Sequence, residues 1–167
     1  MHRCPNFWLV LSAIALCFLT CHQNQLPNFD QFDSKFFAKY VPEFPEAQLM
    51  TINEIPPYQQ QFFKEAKGKL QLTYDLNSNG QPEYIICGFS RGMVLRQERP
   101  AYFLAIFEST TTGMNLSYLQ KLSVPPVTLD ISKDTTRPGI IVSFAFFSDY
   151  AAEIYFEGNE YHLEKLF

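Results

Sequence analysis

The stretch at residues 70–89 constrains the fold more than any other part of the chain. Leu70, Leu72 and Tyr74 alternate with Gln71, Thr73 and Asp75, the period-2 pattern of a strand with one buried face. Tyr84, Ile85, Ile86 and Cys87 then form an unbroken apolar run, which predicts a strand inside the core. Between the two, Asn79 and Gly80 are residue types that tolerate positive φ in a tight turn. The loop is also rich in oxygen. Asp75, Asn77, Asn79 and Glu83 fall at positions 1, 3, 5 and 9, with Gly80 at position 6. This is the ligand spacing of a calcium loop. The same side chains also build a metal-free turn, in which Asx oxygens accept backbone N–H groups.

The pattern recurs downstream. Leu129-Asp130-Ile131-Ser132-Lys133-Asp134 leads through a polar loop into Ile140-Ile141-Val142. Asp130, Ser132 and Asp134 align with Asp75, Asn77 and Asn79, and Pro138 aligns with Pro82 after one inserted residue. The later segments correspond too: residues 101–108 resemble 151–157, and Tyr118 with its successors resembles Tyr161 with its own. The offset of about 55 residues is on the scale of repeat architectures. The second loop lacks the glycine and the position-9 acid and carries Arg137, so no metal is expected there. Two units of about four strands each are expected, spanning residues 70–122 and 127–167.

Residues 29–69 read as helical. Phe29, Phe32, Phe36, Phe37 and Tyr40 recur at helical spacing between polar residues, with Asn28 as cap and Pro42 as stop. This aromatic stripe is expected to pack on the sheet. Residues 42–55 show no period. Pro56-Pro57 then opens a second helix over residues 58–67, with Tyr58, Phe62, Phe63 and Ala66 on its buried face and Gly68 at its end. The fold class predicted is mainly β (α+β): about eight antiparallel strands in two four-stranded meanders, preceded by two short helices. Two blade-like units cannot close a propeller, which typically has four or more.

Residues 1–20 do not belong to this domain. Arg3 precedes an apolar run at residues 7–19, too short for a bilayer span of roughly 20 residues and right for a signal-peptide core. The run ends at Phe18-Leu19-Thr20-Cys21, and residues 21–28 form a polar tether. This segment resembles the processing site of bacterial lipoproteins with a relaxed lipobox. The resemblance implies acylation of Cys21 and a cell-envelope protein anchored by several acyl chains, each buried CH₂ contributing ~0.8 kcal/mol. Of the four cysteines, Cys4 and Cys17 leave with the signal. Cys87 is then alone in an apolar strand, where it acts as a small hydrophobe. Residues 21–167 carry 12 basic and 17 acidic side chains, net −5, which argues against nucleic acid and against electrostatic docking on anionic lipid.

Asp75-Leu-Asn-Ser-Asn-Gly-Gln-Pro-Glu resembles the calcium loop of FG-GAP and VCBS-type β repeats, in which the loop joins two strands. The resemblance implies Ca²⁺ ligation by the side chains of Asp75, Asn77, Asn79 and Glu83 and by the backbone carbonyl of Gln81. Asn79 stands where Asp is usual, and Glu83 where Asp is common. The loop then brings two formal charges, which implies affinity on the order of 10⁻⁴–10⁻³ M.

Gly88-Phe89-Ser90-Arg91-Gly92 matches the G-x-S-x-G pattern of serine hydrolases, followed in order by acids (Asp130, Asp134, Asp149) and His162. A nucleophile elbow must lead into a helix, however, and residues 93–100 are short and proline-stopped, with no β-α alternation on either side. The motif reads more simply as a glycine-flanked exit from a strand. His162 has no second His or Cys nearby in sequence, so zinc is not expected. Arg91, Arg96 and Arg99 form a small basic cluster on an expected connector at residues 90–100. The expected function is non-enzymatic: a lipid-anchored envelope protein that binds an envelope partner or contributes structurally. A calcium-dependent adhesion module and a Ser90 hydrolase are the alternatives.

Overall fold

The computed structural model describes residues 28–95, 99–134, 136–145 and 150–166. Residues 1–20, expected to be a signal peptide, and Cys21, Arg96 and Asp149 lie outside the described residues. The chain runs α1 (Ser34–Tyr40), β1 (Ala47–Leu49), a 3-10 turn (Ile52–Glu54), α2 (Pro57–Glu65), β2 (Gln71–Tyr74), β3 (Glu83–Leu95), β4 (Arg99–Thr110), β5 (Gly113–Leu122), β6 (Thr128–Ile131), β7 (Gly139–Ser143), β8 (Ala151–Glu157) and β9 (Glu160–Lys165). All strand pairs are antiparallel, in one sheet built on β3, β4 and β5 and a second of β6-β7-β8-β9.

The two four-stranded meanders are present, with one more strand than expected. β1 and β2 both pair with β3, at Gly88 to Ser90 and at Glu83 to Ile86 respectively. Between them, Met50 donates its N–H to the Cys87 carbonyl, and the Cys87 N–H reaches the Leu70 carbonyl, both at 2.9 Å. β1 and β2 are thus two pieces of one edge position. Residues 51–69, carrying the 3-10 turn and α2, are an excursion inserted between them. The side chain of Gln71 closes the gap by donating to the Met50 carbonyl at 2.7 Å. Three residues with no alternating pattern gave β1 no signal in the sequence, because its pairing partner is 41 positions away.

Strand alternation sorts the first sheet into two buried faces. Cys87, Phe89, Leu104 and Ile106 point toward the second sheet, where they meet Leu129, Ile140, Val142 and Ile154. Ile86, Ala101, Phe103, Ala105 and Phe107 point the other way and are covered by Phe32, Phe37, Val41 and Phe44. The result is three layers: helix, sheet, sheet. This explains why residues 101–107 are apolar without alternation, since both faces of β4 are buried. The two sheets also join at a backbone corner, where the Leu129 N–H donates to the Lys69 carbonyl at 2.7 Å and the Lys69 N–H to Thr128 Oγ1 at 3.2 Å.

The aromatic stripe packs on the sheet as expected, but the helix under it is shorter. Asp33, whose Oδ1 accepts from the Phe36 N–H at 2.8 Å, caps α1. Asn28 instead accepts from the Asp30 N–H in a preceding turn. Phe29 and Phe32 therefore reach the core from a turn, and Phe32 still packs edge-on against Phe36 at 4.8 Å. The face expected for α2 is wrong in three of its four residues. Tyr58 is 74% exposed, Phe62 and Ala66 are exposed, and only Phe63 packs on the core, while Gln59 is buried. The helix is only nine residues and lies over an edge, so one aromatic suffices. Its end is a Schellman arrangement: the Gly68 N–H bonds to the Phe63 carbonyl at 2.8 Å and the Lys67 N–H to the Lys64 carbonyl at 3.2 Å. The left-handed position falls on Lys67, at φ 52°, and not on the glycine.

The connector expected at residues 90–100 is mostly strand. β3 continues to Leu95 and β4 begins at Arg99, with a bulge that leaves residues 91–93 unpaired between Ser90 and Val94.

Candidate functional site

The first loop folds as a ladder of Asx bonds. Asp75 Oδ1 and Oδ2 accept the N–H groups of Asn79 and Gly80 at 3.0 and 2.9 Å. Asn77 Oδ1 accepts the Asn79 N–H at 3.0 Å, and Asn79 Oδ1 the Gln81 N–H at 2.7 Å. The positive φ angles fall on Ser78 (57°) and Gly80 (85°), so Asn79 is not the left-handed residue its type suggests. Asp75, Asn77, Asn79 and Gln81 are thus brought together in one bend.

Glu83 differs from the rest. It is 1% exposed, and its Oε2 accepts the Leu76 N–H at 2.6 Å. Its Oε1 is buried and has no hydrogen-bond partner among the described residues. Burial pushes its pKa up, the backbone N–H groups of Leu76 and of Glu83 itself work against that, and the charges of Asp75 and Glu108 add to it. A buried carboxylate oxygen left unmatched costs about 1–3 kcal/mol or more, so the group calls for a proton or a cation. No three His, Cys, Asp or Glu side chains converge among the described residues. Any cation here would rest on two carboxylates mixed with amide and backbone oxygens. Each of those oxygens has two lone-pair sites, and one N–H does not exhaust it.

The loop opens onto a second feature. Asn77 Nδ2 lies 3.3 Å from both Glu108 Oε1 on β4 and the Tyr161 hydroxyl on β9. The Tyr161 hydroxyl donates to Glu108 Oε1 at 2.7 Å. Burial, then this bond and the nearby negative charges, push the Tyr161 phenol far above its ordinary range. The triangle ties loop, first sheet and second sheet together. It forms the base of a cleft of about 680 Å³ whose walls include Ser117 and Tyr118 of β5 and Glu160 of β9. The Tyr118 and Tyr161 rings, which occupy equivalent places in the two units, approach to 6.2 Å between centroids. The equivalence of these tyrosines is legible in the sequence, but their meeting across the sheets is not, and Glu108 carries no sequence signal at all.

The second loop is built differently. Asp134 accepts from Thr136, and Arg137 pairs with Glu153 at 3.2 Å and lies over the Tyr155 ring at 3.4 Å. Arg137 reaches only Oε2 of Glu153, whose Oε1 is buried without a hydrogen-bond partner among the described residues, as Glu83 Oε1 is.

Ser90 is fully buried inside β3. Its hydroxyl donates to the Pro45 carbonyl and accepts from the Met93 N–H at 3.1 Å, holding the bulge. Gly88 faces Phe103, whose ring occupies the space a Cβ would take. Gly88 and Ser90 of the G-x-S-x-G match therefore have packing roles, and β3 runs on past Ser90 to Leu95 with no strand-to-helix turn. His162 stacks on Tyr155 at 5.4 Å, with Nε2 3.1 Å from the Glu157 carbonyl. Arg91 lies over Phe89 at 5.6 Å, and Arg99 begins β4. Cys87 is fully buried, which pushes its thiol up and leaves it inert. Among the described residues no helix is long and apolar enough to cross a membrane. Comparison with protein-family models, with curated proteins and with solved structures finds no match.

Proposed function

We propose that this chain is a lipid-anchored protein of the bacterial cell envelope with a non-enzymatic, structural or binding role, and that its 75–83 loop is a weak structural calcium site. The observation that carries the loop reading is Glu83, a buried carboxylate with one unmatched oxygen beside Asp75. A divalent cation there would be held by the Asp75, Asn77, Asn79 and Glu83 side chains and the Gln81 carbonyl, and would neutralise the two formal charges. Its effect would be to lock β2 to β3. The anchor reading is supported by the Phe18-Leu19-Thr20-Cys21 segment after a signal-like core.

The test is a calcium titration read by thermal melting. With Kd near 1 mM, tenfold excess calcium stabilises by about 1.4 kcal/mol, or several degrees in Tm. An unchanged Tm at millimolar calcium refutes the loop reading. Mass spectrometry of the processed N-terminus tests the anchor, which an unmodified Cys21 would overturn.

A further inference from the structure

We infer that the cleft between the two sheets binds an uncharged, polyhydroxylated ligand of the saccharide class. This names a ligand for the binding role proposed above and rests on that reading. The cleft's volume of about 680 Å³ is in the range of ligand sites. The amides of Asn77, Asn115 and Asn159 and the hydroxyls of Ser117, Tyr118 and Tyr161 supply donors and acceptors together. Glu108 and Glu160 add acceptors, and none of the described residues lining the cleft is basic. A phosphate or carboxylate ligand would meet two carboxylates and no counter-charge. Sugar hydroxyls, each donor and acceptor at once, match this mixture. Leu116 and Phe156 supply apolar surface for the C–H face of a sugar ring.

The polar base is set before any ligand arrives. Tyr161 and Asn77 both donate to Glu108 Oε1, and Asn77 is held in turn by the Asn79 N–H on its Oδ1. Side chains already fixed in this way lose little entropy on binding. Both bonds end on Oε1, which leaves Glu108 Oε2 to accept a ligand hydroxyl.

The experiment is a chemical-shift titration of the full-length chain in detergent with maltose, N,N′-diacetylchitobiose, lysine amide and inorganic phosphate. At least one disaccharide should shift the amide signals of Asn77, Glu108, Ser117 and Tyr161 saturably. Glu108→Gln should weaken that binding about tenfold, the loss of one charged hydrogen bond. Glu160 is exposed, so Glu160→Gln tests the cleft without endangering the fold and should weaken binding severalfold. The inference is overturned if neither disaccharide shifts these signals, if lysine amide binds more tightly than both, or if both folded variants bind as the parent does. A calcium-dependent Tm with no saccharide binding would remove the cleft assignment and leave the loop reading intact.

Discussion

Replacing Glu83 by Gln tests the central energetic claim. The side chain is 1% exposed, one oxygen is bonded to the Leu76 N–H, and the other is unmatched. Its pKa is raised in the folded chain, chiefly by burial. The native state therefore keeps this proton to higher pH than the unfolded chain does. The stability this group contributes is full below the ordinary Glu value of about 4.3 and is lost as pH rises through the folded value. Glutamine keeps the acceptor for Leu76 and removes the charge. In chelator at pH 7.5, Glu83→Gln should be more stable than the parent by at most ~1–3 kcal/mol, because it removes the buried charge but puts an unmatched amide NH₂ in place of the unmatched oxygen. Its stability should also lack the parent's decline as pH rises above the ordinary Glu value. In millimolar calcium the order should narrow or reverse, because only the carboxylate gains from the cation. Thermal melts by circular dichroism across pH 4–8, with and without calcium, read all three effects. A variant that is less stable in chelator at pH 7.5 and keeps the parent's pH slope would show that Glu83 is ionised and fully matched in the fold, which refutes the reasoning.

Two further outcomes concern the scaffold. Gly88→Ala drives a methyl group into the Phe103 ring and should destabilise by ~1–3 kcal/mol in urea unfolding. Phe103→Leu should offset part of that loss in the double variant, and a Gly88→Ala midpoint equal to the parent's would show that the ring has room to move. Lys67→Gly relieves a left-handed residue at φ 52° and should stabilise by ~0.5–1 kcal/mol, measured the same way; a loss of stability would mean that the Lys67 side chain contributes more than its backbone costs.

Much of this protein is written in local pattern. Alternation at residues 70–75, apolar runs at 84–87 and 101–107, and turn residues at 79–80 are enough to declare antiparallel meanders, because strand period and turn chemistry act over a few residues. The aromatic stripe of residues 29–40 declares a packing face for the same reason. What the sequence could not declare depends on contacts between distant positions. β1 exists only because Gly88 to Ser90 offers an open edge. Gly88 and Ser90 match a hydrolase pattern that the sequence reads more simply as a strand exit, and only the tertiary structure gives them packing roles, against Phe103 and the Pro45 carbonyl. The cleft is the clearest case. Asn77, Glu108 and Tyr161 are separated by 31 and 53 residues, and no periodicity links them. Only the stacking of one sheet on the other brings an amide, a carboxylate and a phenol within hydrogen-bond reach. Local propensity acts between neighbours in the chain, whereas a site of this kind is decided by which buried faces must meet to leave water.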